Sequence, residues 1–98
     1  MGSKQKKWRI TKIANRARKN IEALEIKFRE EVIEKFEHLQ DNPFKNDIKK
    51  VEGKKNIYRG RIGDYRYYFR TSPQSRSIEI LAFEHRGRVK KKTIKRLK

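Results

Sequence analysis

Apolar residues in the first half of the chain recur every three or four positions: Ile13, Ala17, Ile21, Leu24, Phe28, Val32, Phe36 and Leu39. That spacing gathers them on one face of an α-helix. Just before it, Lys7-Trp8-Arg9-Ile10 alternates polar and apolar. The alternation predicts a short N-terminal strand, with Thr11 as the helix N-cap and the helix running from Lys12. No Gly or Pro interrupts the pattern before Pro43, so taken literally the helix is about 29 residues and about 43 Å long. A chain of 98 residues folds to a radius of gyration near 13 Å, which such a helix would overhang. A break between Ala23 and Ile26 is therefore expected. It makes an antiparallel helical hairpin whose second arm ends near Gln40, ahead of Asn42-Pro43.

Beyond residue 56 the period shifts to two. Ile57 to Ile62 and Tyr65 to Arg70 are β-type runs joined by Gly63-Asp64, the pattern of a hairpin with a two-residue loop. Such a loop fixes the register: Ile62 faces Tyr65, Arg61 faces Arg66, Gly60 faces Tyr67, Arg59 faces Tyr68, and Tyr58 faces Phe69. Tyr58, Ile62, Tyr65, Tyr67 and Phe69 then share a core face, and Arg59, Arg61, Arg66, Tyr68 and Arg70 share the other. Ser77 to Phe83 is almost wholly apolar and predicts a buried central strand. Residues 43–56 and 71–77 read as loops. The expected fold is α+β: one domain over residues 1–98, with the N-terminal strand and a helical hairpin packed on a mainly antiparallel, twisted four-stranded sheet. Residues 1–6 are expected to be disordered or tag-derived. Residues 88–98 form a basic tail, either a short helix docked by Val89, Ile94 and Leu97 or a frayed arm.

The formal net charge of +17 is unevenly placed: eight Lys/Arg and no acid in residues 1–20, −3 in residues 21–52, and +12 in residues 53–98. A strongly basic C-terminal half beside a balanced helical segment is the footprint of a polyanion binder. Nothing in the sequence resembles a strongly apolar amphipathic membrane helix or a spanning run, so nucleic acid is expected and a membrane is not. The chain has no cysteine, which removes disulfides and thiolate metal sites and fits a reducing cytoplasm.

Like charges directly opposite in a sheet oppose pairing by about 0.2–1 kcal/mol. Arg61 against Arg66, with Arg59 beside them, is therefore a poor way to stabilise a hairpin. The plain alternative is a solvated basic strand face. Planar guanidinium groups suit phosphate, and three of them in a fixed register with Tyr68 alongside point to a phosphodiester, whose base Tyr68 could stack. Lys49, Lys50, Lys54 and Lys55 lead into this face, and Arg88 and Lys90 follow it. They are candidates for flanking phosphates. His85 and Arg86, where the apolar strand ends, are the other candidates, and His85 suits acid–base work near neutral pH. With two histidines and no cysteine, no metal site and no cofactor are expected. A nuclease built this way uses the RNA 2′-hydroxyl as nucleophile, with Arg59, Arg61 and Arg66 on the phosphate and Arg86 on the transition state or leaving group.

Four stretches, in order, resemble the RelE/ParE superfamily of type II toxin–antitoxin toxins, and the resemblance extends over nearly the whole chain. The stretches are Asn42-Pro43-Phe44, Asp47 to Gly53, Tyr58 to Arg66 and Ile80 to Arg86. The resemblance implies a toxin inhibited by a cognate RelB-like antitoxin. The basic positions look more like the RelE branch, which cleaves mRNA on the ribosome, than the ParE branch, which poisons DNA gyrase. On that resemblance Arg59, Arg61, Arg66 and Arg86 fall where RelE-type toxins place functional Lys or Arg. Two departures stand out: arginine replaces the frequent lysine at Arg59 and Arg61, and Lys90 stands where many members have a tyrosine. The expected function is a ribosome-dependent, metal-independent mRNA endoribonuclease acting in the cytoplasm. The rival readings are a gyrase inhibitor on the same fold and a basic RNA-binding domain without catalysis.

Overall fold

The computed structural model describes residues 7–45, 47–89 and 94–97. Five strands and two α-helices follow one another as β1 (Arg9–Ile13), α1 (Asn15–Glu22), α2 (Ile26–Asp41), β2 (Lys49–Lys50), β3 (Ile57–Ile62), β4 (Tyr65–Ser72) and β5 (Ser77–His85), before a single 3₁₀ turn at Arg86–Arg88. The sheet runs β1-β5-β4-β3-β2. It is mixed: β1 lies parallel to β5, and the other pairs are antiparallel. The expected α+β architecture holds, with a fifth strand added by Lys49–Lys50, a pair too short to show a period.

The helical segment breaks within the expected stretch, at Ala23 to Glu25. Neither helix start carries a side-chain cap, so local sequence does not make the break. It follows from packing, because Ile21, Leu24 and Phe28 all close on the core. The start of the first helix is a correction. Thr11 is no cap but an extra residue within β1, where the pairing to β5 slips between Ile10 and Lys12. The parallel ladder to β5 holds the chain extended to Ile13, and the helix begins only at Asn15.

One core lies between the helices and the sheet, formed by Ala17, Val32, Phe36 and Leu39 against Ile62, Tyr67, Phe69, Ile78, Ile80 and Phe83. A second, smaller one lies on the opposite face, where Leu97 of the tail covers Val51, Ile57, Tyr68, Leu81 and Ala82. The described part of the tail, Ile94 to Leu97, is thus docked, with Leu97 1 % exposed. A bulge in β5 feeds both cores. Tyr68 faces Ala82 and Phe69 faces Ile80, so Leu81 is the extra residue, and Leu81 and Ala82 both turn to the tail side.

Candidate functional site

The β3–β4 hairpin turns through Gly63 and Asp64 with Gly63 at φ 57°. The left-handed conformation costs glycine little, and the two-residue loop gives the register read from sequence, Ile62↔Tyr65 through Tyr58↔Phe69. Next to Tyr67 the partner must be glycine. The ring lies across Gly60 so closely that a Cβ there would overlap it. The helix side of the hairpin is therefore packed, and the tail side carries its charge.

On the tail side a row crosses three strands: Arg61 on β3, Arg66 on β4 and Glu84 on β5 are successive cross-strand partners. Side chains so placed have Cβ atoms about 5 Å apart. Sequence reasoning passed over Glu84. Its face could be counted only once the bulge at Leu81 had reset the alternation of β5. Arg59 lies one pair farther from the turn, opposite Tyr68, and Lys49 pairs with Arg59 from the edge. Arg61 is exposed, while Arg59 and Arg66 are half-buried. Arg70 is drawn out of the group by Glu79, 3.3 Å from Oε1, which also meets Lys12 at 3.9 Å. The repulsion between Arg61 and Arg66 is thus answered on one side by a carboxylate.

Tyr68 is covered. It is 1 % exposed beneath Leu97, so the ring is closed to a stacking base in this conformation. Burial pushes its hydroxyl pKa up, while the charges of Arg59 and Arg66 pull it down and Glu84 adds to the rise. Those influences place all three charged groups around one hydroxyl.

Arg86 reaches the site from the end of β5. Its amide donates to the Asp64 carbonyl at 2.7 Å, and its Nε lies 3.8 Å from Asp64 Oδ1. The hairpin turn thereby holds Arg86 at the end of the sheet nearest Arg61 and Arg66. His85 turns the other way. It pairs with Tyr65 on the helix side, its ring meets Tyr65 edge-on at 5.3 Å, and Nδ1 accepts the Gly87 amide at 3.1 Å. The structure brings Arg59, Arg61 and Arg66 together on the tail face of the hairpin, sets Arg86 against Asp64 at its turn, and leaves His85 across the sheet from the three arginines. It opens onto a cleft of about 630 Å³ lined by Asn20, Leu24, Tyr65 and Arg88 among others. Of the flanking lysines, Lys49, Lys50 and Lys55 are exposed and Lys54 is half-buried. Lys90 lies outside the described residues.

Beyond Ile80 the outer edge of β5 has no strand partner among the described residues, and α1 closes it. Arg16 Nε donates to the Leu81 carbonyl at 3.0 Å and Asn20 Nδ2 to the Phe83 carbonyl at 2.7 Å. The strand that carries Glu84 and ends at His85, just before Arg86, is pinned on both sides. Among the described residues no cluster of three or more His, Cys, Asp or Glu could hold a metal, and no helix is long and apolar enough to cross a membrane.

Comparison with known proteins gives two kinds of likeness. The family described as "ParE toxin of type II toxin-antitoxin system, parDE" matches residues 9–90. Among solved structures, the archaeal RelE-RelB complex from Pyrococcus horikoshii OT3 contains a chain 28 % identical, with TM-score 0.72, the match covering 85 % of this chain and 99 % of that one. The RelB-RelE antitoxin-toxin complex from Methanococcus jannaschii gives 26 % identity and TM-score 0.62 over 76 % and 89 %. The isolated RelE toxin of E. coli, at 17 % identity and TM-score 0.68 over 93 % and 98 %, shares the fold. No curated protein matches the sequence significantly.

Proposed function

The chain belongs to the family of ParE toxins of type II toxin–antitoxin systems, within the RelE/ParE superfamily, and from that we propose that it cleaves mRNA on the ribosome by metal-independent attack of a 2′-hydroxyl. One observation carries the reading: Arg61 and Arg66 are cross-strand neighbours at the same end of the sheet where Asp64 holds Arg86. Three guanidinium groups there, with Arg59 behind them, suit the three non-bridging and leaving oxygens of a phosphodiester passing through a pentavalent state. Lys49 pairs with Arg59 from the edge of the sheet, and with Lys50, Lys54 and Lys55 would neutralise flanking phosphates. Arg88 lines the cleft at His85, and Lys90 falls outside the described residues. The partners of this reading are translating ribosomes with their mRNA, in the cytoplasm, and a RelB-like antitoxin that lays an acidic or apolar segment over the cationic face.

The purified chain should truncate mRNA in toeprinting on translating ribosomes, unaffected by EDTA, leaving a 2′,3′-cyclic or 3′-phosphate and a 5′-hydroxyl. Arg86→Ala should slow cleavage about 100-fold or more without unfolding the protein, because the side chain is 64 % exposed. Products with 5′-phosphates, or cleavage stopped by EDTA, would overturn the mechanism. The second reading is a gyrase-directed toxin. It is favoured by the ParE description of the matching family and by the covered Tyr68. Loss of supercoiling activity by gyrase, with intact mRNA, would establish it instead.

A further inference from the structure

A 2′-hydroxyl attacks phosphorus only when something takes its proton, and the arginines cannot, since guanidinium stays charged throughout the physiological range. His85 is badly placed for it. Its ring stands on the helix side against Tyr65, and Nδ1 is already accepting the Gly87 amide, which leaves the ring proton on Nε2. The Tyr68 hydroxyl is shut beneath Leu97, and burial disfavours its ionised form. Asp64 is engaged with Arg86 at the turn. One carboxylate shares the arginine row itself.

Resting on the ribonuclease reading, we propose that Glu84 is the general base of this site. Its cross-strand partner is Arg66, whose own partner is Arg61, so the carboxylate lies one strand away from the guanidiniums that would grip the phosphate. A face meant only to bind anions gains nothing from a carboxylate at the end of its arginine row, which repels the ligand. A face meant to bind a phosphodiester and deprotonate the hydroxyl beside it needs one there. The pairing also couples the two events. A phosphodiester set against Arg61 and Arg66 draws their charge away from Glu84 and frees the carboxylate to accept a proton. The strand beneath it does not drift, because the β4 ladder on one side and Asn20 on the other fix Phe83 and Glu84.

In the step itself the 2′-hydroxyl proton passes to the Glu84 carboxylate as the O2′–P bond forms. The P–O5′ bond breaks, the leaving oxygen takes a proton from solvent, and the products are a 2′,3′-cyclic phosphate and a 5′-hydroxyl. Glu84 then returns its proton to solvent.

The test is single-turnover cleavage of mRNA on ribosomes by the full chain, across pH, for the wild type, Glu84→Gln and Glu84→Asp. Ribosome affinity is measured separately by co-sedimentation. Glu84→Gln keeps the shape of the side chain opposite Arg66 but cannot take a proton. It should cleave about 100-fold or more slowly, lose the acidic limb of the rate–pH profile, and bind within a few-fold of wild type. Glu84→Asp should recover part of the rate. Glu84→Gln cleaving within threefold of wild type, or keeping the acidic limb, overturns the assignment while leaving the ribonuclease reading intact. A wild-type chain that cleaves nothing overturns both. Equal loss in both variants together with a lowered melting temperature assigns Glu84 a purely structural role and also overturns it.

Discussion

Gly60 and Tyr67 constrain each other, and each predicts a measurable change. Because a Cβ at position 60 would enter the Tyr67 ring, Gly60→Ala must push a fully buried aromatic out of its place. The expected loss is about 1–3 kcal/mol, read as a lower urea midpoint at unchanged slope. Tyr67 offers the reverse case. Its hydroxyl is buried without a hydrogen-bond partner among the described residues, which costs stability, so Tyr67→Phe should be neutral or stabilise by up to about 1 kcal/mol. Burial first, and then the charge of Asp47, raise this phenol well above its ordinary 10.0. A raised folded value means that its share of stability is intact below about pH 10 and is lost as the unfolded chain ionises above it. The gap between wild type and Tyr67→Phe should therefore widen in favour of the variant above pH 10. A gap constant up to pH 11 would refute the assignment.

At the level of elements, the hairpin was legible to the residue because a two-residue loop leaves a single register, and the helix faces were legible because their core positions keep one period. Three features were not. The bulge at Leu81 sits inside an unbroken apolar run, where no polar residue marks the change of phase, and with it the face of Glu84 was hidden. The length of β1 is set by its parallel pairing with β5, not by Thr11 and its neighbours. The docking of the tail was one of two alternatives the sequence left open, because Leu97, with Val89 and Ile94 beside it, is spread among many lysines. That last point is testable: Leu97→Ala should cost about 2–4 kcal/mol. It should also raise the oxidative labelling of Tyr68 while Tyr67, under the helices, stays protected. Labelling of Tyr68 at wild-type level would show that the tail does not cover it.

For the whole molecule, charge and topology each have a consequence. The acidic residues concentrate in the helical segment and the basic ones in the sheet-forming half, so approach to a polyanion is steered towards the strands. If four phosphates are neutralised there, affinity for single-stranded RNA should fall about 50-fold between 50 and 200 mM salt. A flat dependence, measured by fluorescence anisotropy, would argue against the basic face as the contact. Topology acts earlier in the protein's life. β5, which joins β1 to the rest of the sheet, is the last in chain order of the five strands among the described residues, and the first strand pairs with it. While the polypeptide is being synthesised, the hairpin bearing Arg59, Arg61 and Arg66 therefore emerges before β5, with only the two-residue β2 beside it, a small sheet of marginal stability. Arg86 and Glu84 have not yet been added. A nascent copy thus has no partner strand for β1, and neither Glu84 nor Arg86 beside the arginine hairpin, until β5 has been made.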